Sequence, residues 1–277
     1  MAGALEELNS LKSKLDDDKT AREVIAPALL LIQAERLGVN EMTLKYFGAV
    51  ISGTIGGDGH VSSASKRVEL VSGKREIALL WAAALAAYGI KAEVRDTGRK
   101  FHVVASGVGA AGLADLYFLY GSPLLEGDER IINHKLAEAV KLGAEGLDIR
   151  WERLRKTDKG LVAADLTISA AGVAVKYNVY LRRDDILLRF ESTDRSRVEL
   201  AARLLRLAGV STEVKKEGVK MAKRHSGRDM WYVLATTDRL AAGRKELRDA
   251  VRKVVEEALK KDWVKADKAE GWQKKLE

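Results

Sequence analysis

Leu80–Val94 reads LWAAALAAYGIKAEV, and Ala201–Val214 reads AARLLRLAGVSTEV. Each stretch predicts a helix with apolar residues at helical spacing, a glycine that stops it, and a strand. Each is followed by a spacer and an apolar strand, Phe101–Ala105 (FHVVA) in one case and Trp231–Ala235 (WYVLA) in the other, and then by a helix rich in Ala and Leu. Self-similarity at this distance is the mark of a tandem duplication. Working outward from the first copy, periodicity predicts a helix from Glu41 to about Gly57, extended pieces over His60–Val71, a helix over Lys74–Tyr88, two strands and a further helix. The order is α-β-β-α-β-β-α, and the fold class expected is α+β with antiparallel sheets.

The second copy is larger. Between Ile149 and Phe190 four alternating runs (IRWERLR, LVAADLTIS, VAVKYNVYL, DILLRF) are parted by turn signals at Asp158–Gly160, Ala171–Gly172 and Asp184–Asp185, so the two sheets should be unequal. The joint is expected at Gly121–Asp128, GSPLLEGD, where Gly, Pro and Ser break the periodicity. The chain is thereby divided into a helical extension (1–39), a first half (40–121), a linker (122–129), a second half (130–262) and a polar tail (263–277). Arg239 to about Lys261 reads as one long basic helix.

With 277 residues, 47% of them hydrophobic, the chain can fill a real core. Its net charge of +8 favours polyanionic partners. Residues 1–39 hold five Lys/Arg against seven Asp/Glu, so the basic surplus lies downstream. The absence of Cys excludes disulfides, thiolate catalysis and Cys-ligated zinc, and fits a reducing cytoplasm or a chain selected against oxidisable residues. The apolar run Ile25–Leu31 is too short to span a bilayer, so no membrane partner is expected. His60, His102, His134 and His225 show no zinc spacing, and no phosphate-binding loop ending in GK[ST] occurs.

The remaining feature is Val50–Gly59, VISGTIGGDG, with several glycines inside a periodic helix at about 1 kcal/mol each relative to Ala. Gly53 and Gly56 lie three apart on one face, which suits close approach of another backbone, and the helix ends at Asp58. ISGTIGGDG resembles the LAGLIDADG motif of homing endonucleases, particularly the archaeal variant in which the first acidic position is replaced, here by Gly56, and GDG closes the helix. Asp58 falls on that motif's metal-binding acid. A second match follows the joint: Lys141–Gly146, KLGAEG, aligns with Thr54–Gly59 and puts Glu145 on the acid. The resemblance covers residue 41 to about 260.

It implies two pseudo-symmetric half-domains in one monomeric chain, packed through Gly53, Gly56 and Gly143, with their sheets forming a saddle on double-stranded DNA. It also implies Mg²⁺ or Mn²⁺ at Asp58 and Glu145, together with Gly57 and Ala144, for phosphodiester hydrolysis. Lys74, after the second strand, matches the family's basic residue near the attacking water, whereas the corresponding position of the second copy is Asp194, with Arg195 beside it. DNA contacts are expected from Lys66, Arg67, Arg95, Arg99, Lys100, Arg150, Arg153, Arg155, Lys176, Arg182 and Arg183, and from Lys223, Arg224 and Arg228 in the basic run Lys220–Arg228. Taken singly, IGGDG also reads as an ordinary helix-end turn, Glu145 as a solvated carboxylate and Lys74 as a surface lysine. The alternative is a catalytically silent protein of the same fold, a regulator on DNA or a maturase gripping intron RNA.

Overall fold

The computed structural model describes residues 18–121, 134–216 and 229–277. The helical extension before Asp18, the joint after Gly121, and Lys223, Arg224 and Arg228 lie outside these residues. The chain divides into two compact units, Met1–Gly121 and Ser122–Glu277. Both are α+β, and each carries one antiparallel sheet. Among the described residues no helix is long and apolar enough to cross a membrane.

The first unit runs α1 (Asp18–Leu37), α2 (Glu41–Gly56), β1 (His60–Ser62), β2 (Arg67–Ser72), α3 (Arg75–Ala87), β3 (Ala92–Asp96), β4 (Phe101–Ser106) and α4 (Val108–Tyr120). Its sheet order is β1-β2-β4-β3. Helix α1 packs on α3 and α2 and buries Leu30 completely. Asn40 starts α2 with a capping box, its side chain accepting from the Met42 and Thr43 N–H groups while Thr43 Oγ1 accepts from the Asn40 N–H. The tight helix crossing in this unit is made at Gly48. A Cβ there would lie 2.6 Å from Tyr120 Cβ and 2.9 Å from the Leu116 carbonyl, so only Gly lets α2 and α4 meet. By contrast, a Cβ at Gly53 or Gly56 would meet nothing within 4 Å among the described residues.

The second unit runs α5 (His134–Gly143), a 3₁₀ turn (Ala144–Gly146), β5 (Asp148–Lys156), β6 (Val162–Ala170), β7 (Val173–Leu181), β8 (Ile186–Ser192), α6 (Arg195–Leu207), β9 (Lys215–Lys216), β10 (Trp231–Thr236), α7 (Thr237–Ala241), α8 (Lys245–Lys260) and α9 (Ala266–Lys275). Its sheet order is β5-β6-β7-β8-β10-β9. Strands β7-β8-β10-β9 therefore repeat the order β1-β2-β4-β3, and the two extra strands turn a two-strand meander into a four-strand one. The strand expected directly after Gly209 begins only at Lys215, and among the described residues it comprises Lys215–Lys216.

The helix ends show how closely the copies correspond. Gly89 and Gly209 both have left-handed φ, +78° and +81°. Beyond them the N–H groups of Ile90 and Val210 return to the carbonyls of Leu85 and Leu205, and both apolar side chains are buried. This six-to-one closure with an apolar residue after the glycine is the Schellman arrangement.

The long helix over Arg239–Lys261 is broken into α7 and α8, because Gly243 is pressed against Val210 (a Cβ would lie 3.1 Å from Val210 Cγ2) and the Arg244 N–H is drawn to the Ala208 carbonyl at 2.9 Å. The polar tail after Trp263 is helix α9. Ala269, Trp272 and Leu276, at spacings of three and four, bury one stripe of it against α8 and α7.

Candidate functional site

In the first unit α2 ends at Gly56, and the Gly57 N–H closes the last turn on the Gly53 carbonyl at 3.1 Å. Asp58 follows on an exposed turn, and Gly59 is buried directly behind it. A Cβ on Gly59 would lie 2.6 Å from Ile55 Cα and 3.0 Å from the Glu69 carbonyl, so the turn that presents Asp58 closes only with glycine. Gly59→Ala is expected to destabilise the unit by about 1–3 kcal/mol through backbone displacement, measurable as a lowered urea midpoint. The carboxylate sits at the end of a helix, where the negative pole of the macrodipole and the terminal carbonyls favour a cation.

Strand β1 starts two residues beyond Asp58 and pairs His60 with Glu69. The far end of β2, and Lys74 after it, therefore lie at the same end of the sheet on the adjacent strand. The Lys74 N–H donates to Ser72 Oγ at 3.2 Å, and Lys74 is the N-cap of α3 with no side-chain cap bond. A cation at a helix N-terminus opposes the macrodipole and leaves the first-turn N–H groups uncapped. Lys74→Ser is expected to raise stability by about 1 kcal/mol in chemical denaturation.

The second unit repeats these parts with changes. Helix α5 buries Ala139, Leu142 and Gly143, Ala144 is buried in the 3₁₀ turn, and Glu145 is exposed there, just before edge strand β5. At the end of β8 the Asp194 N–H donates to Ser192 Oγ at 3.0 Å, which is the geometry of Lys74 on Ser72. Asp194 caps α6, its carboxylate accepting from the Ser196 N–H and hydroxyl at 2.9 and 2.8 Å. The neighbouring Arg195 lies 4.9 Å over the Trp231 ring and bonds Glu199 at 2.8 Å. Because β6 and β7 intervene between β5 and β8, Glu145 and this corner are three strand spacings apart, about 14 Å.

The broad sheet of this unit has two distinct faces. On one, Leu166, Tyr177, Val179 and Leu188 are buried, and Tyr177 Oη donates to the Ala201 carbonyl of α6 at 2.7 Å. On the other, the register Glu152–Asp165–Asn178–Arg189 and the neighbouring row Arg150–Thr167–Lys176 run across the strands. Here the cations are held by carboxylates. Arg150 bonds Asp148 (2.8 Å), and Arg189 bonds Glu191 (2.8 Å) and stacks 4.8 Å over Tyr232. Asp165, only 7% exposed, is bonded by Arg155, with Arg153 at 3.9 Å and Lys176 at 4.0 Å.

The structure brings Arg150, Arg153, Arg155 and Lys176 together on or beside this face and places Arg182 and Arg183 in the β7–β8 turn. Within the first unit Lys66 is in the β1–β2 turn, Arg67 starts β2, Arg95 pairs with Glu93 on β3 at 3.0 Å, and Arg99 and Lys100 are in the β3–β4 turn. Sequence reading missed Asp165, Asn178, Arg189 and Tyr232. Alternation along VAVKYNVYL would have found Asn178 beside Lys176, but the partners on other strands required the register. On the first sheet His102 Nδ1 lies 3.0 Å from Glu69 Oε2.

Among the described residues no group of three or more His, Cys, Asp or Glu is arranged to hold a metal ion. The donors at Asp58 and Glu145 are hard oxygens, which suit Mg²⁺, an ion that is commonly bound by one or two carboxylates, water and substrate phosphate. No family model matches the chain, and no curated protein and no solved structure matches it.

Proposed function

We propose that the chain is a divalent-metal-dependent endonuclease of double-stranded DNA, of LAGLIDADG type, acting as a monomer whose two units are copies of one half-domain. The observation that carries this reading is the first acidic corner: an exposed carboxylate at a glycine-closed helix end, an edge strand beginning directly after it, and an uncapping lysine at the end of the neighbouring strand. Its helix, acid and edge strand recur in order at Glu145.

On this reading Asp58 with the main chain of Gly57, and Glu145 with that of Ala144, would hold Mg²⁺ or Mn²⁺, which when bound polarises water and neutralises charge on the phosphate. Lys74 would hold the attacking water and take part in its proton transfer. The polar face of the second sheet would lie against base edges, as two-stranded and larger β elements do in the major groove.

A supercoiled plasmid library carrying random inserts, incubated with the protein and Mg²⁺ or Mn²⁺, tests the reading. Metal-dependent nicked or linear product is the expected result. Tight duplex binding without any cut would replace it with a catalytically silent DNA- or RNA-binding protein of the same fold, a reading favoured by the wide separation of Glu145 from the Asp194 corner.

A further inference from the structure

We propose that Arg155 is a specificity-determining residue that reads a guanine in duplex DNA, and that Asp165 and Asn178 are positioning residues that hold its guanidinium for that task. The inference rests on the DNA-binding reading above and deepens it.

The first support is backbone geometry. Strict alternation after Glu152 would put Leu154 on the polar face and Arg155 on the helix-packed face. Instead the β5–β6 register shifts between Glu152 and Arg155, and Arg153 adopts a left-handed φ of +54°. A non-glycine residue in that region is strained, and such strain persists only where the surroundings enforce it. The bulge reverses the alternation and aims Arg155 outward, which is a known use of bulges.

The second support is donor accounting. A guanidinium has five N–H donors in one plane. Nη1 of Arg155 donates to Asp165 Oδ1 and, at 3.3 Å, to the Arg153 carbonyl, while Nη2 donates to Asn178 Oδ1 at 2.9 Å. Nε–H and one Nη2 N–H have no partner among the described residues. With the adjacent acceptors Asp165 and Asn178 taking the end-on Nη1/Nη2 side, the Nε/Nη2 side is the one that would present two parallel donors. The Asp165 side chain is 7% exposed while that of Arg155 is 38% exposed, so the anchoring carboxylate is buried while the guanidinium it holds remains open to solvent.

A fixed pair of donors matches the O6 and N7 acceptors of guanine. A phosphate presents the same acceptor pair. The geometry favours the base, because the carboxylate beneath the arginine holds it down on the sheet, where a long free side chain reaching for the backbone would extend past the sheet edge. Lys176 and Arg153, both close to the same carboxylate, are placed for the flanking phosphates.

The test is selection of the full chain on random-sequence duplexes, followed by titration of the selected duplex and its single-base variants. The wild type should fix one guanine. Arg155→Ala should relax that position about 5- to 100-fold while the other positions keep their preference, and Arg155→Lys should not restore it, since lysine lacks the fork. Asn178→Ala, which leaves the buried Asp165–Arg155 pair in place, should relax the same position with unchanged circular dichroism.

If Arg155→Ala weakened all sequences equally and reduced the salt slope by about one, the residue would be a phosphate contact and the inference overturned. Unchanged preference at every position in both Arg155→Ala and Asn178→Ala would also overturn it while leaving the DNA-binding reading intact. Absence of binding to any duplex by the wild type would remove both.

Discussion

Asp115→Asn is expected to raise stability at pH 7 by about 1–3 kcal/mol and to abolish a downward slope of stability with pH that the wild-type protein should show. Asp115 lies in α4, a helix whose residues from Leu113 to Leu119 are all buried, and it is itself wholly inaccessible. Neither carboxylate oxygen has a hydrogen-bond partner among the described residues. Burial therefore pushes its carboxyl well above the usual carboxylate range.

The direction follows from proton linkage. The unfolded chain loses this proton near the ordinary carboxylate value, about 4, while the folded state keeps it to higher pH. Above that value the unfolded state binds fewer protons, so stability falls as pH rises, by up to about 1.4 kcal/mol per pH unit, until the folded-state value is passed. Below about pH 4 both states are protonated and the full contribution is present. Urea denaturation across the mildly acidic to neutral range measures the slope. A wild-type midpoint that is flat over that range, or an Asp115→Asn protein that is less stable at neutral pH, would show that the carboxyl finds a partner.

Much of the architecture could be read in advance because it rests on local rules. The helix–glycine–strand units need a left-handed residue after Leu85–Tyr88 and after Leu205–Ala208, and only glycine takes that conformation without strain. The turn at Asp58 was legible for a similar reason, since Gly59 leaves a mark in the sequence wherever backbone must touch backbone. Legibility stopped where a decision was made between strands. The carboxylate beneath Arg155 lies ten residues away on β6 and its amide partner 23 residues away on β7, and a register shifted by a bulge cannot be recovered from alternation that the bulge itself violates. The crossing glycine illustrates a different failure. The close helix approach within the first unit is at Gly48, which has no motif around it and is identified only by Tyr120 and Leu116 across the crossing. In α9 three well-spaced apolar residues among many charges were outvoted by composition.

On the nuclease reading proposed above, the largest effect on activity is expected at Asp58. Asp58→Asn should lower metal-dependent cleavage about 1,000-fold or more, since it removes charge and a hard-oxygen ligand where several kcal/mol of transition-state stabilisation depend on the ion. The two strands should not be cut alike. In the first unit the acid and Lys74 stand at one end of adjacent strands, whereas in the second the four-strand meander holds Glu145 about 14 Å from the corner at Asp194, three strand spacings away. That corner presents a carboxylate engaged in capping α6. A proton-transfer partner is worth about 10²–10⁴ in rate, so a supercoiled substrate should accumulate as open circle, with the second cut slower by about 100-fold. Lys74→Ala should then remove most of the fast phase. Asp194→Lys should not restore equal cutting, because a lysine side chain cannot bridge the inserted strands, and it should cost about 1 kcal/mol of stability through the lost cap. Linear product formed without an open-circle intermediate, or full double-strand cutting regained in Asp194→Lys, would show that the inserted hairpin does not separate the acid from its partner.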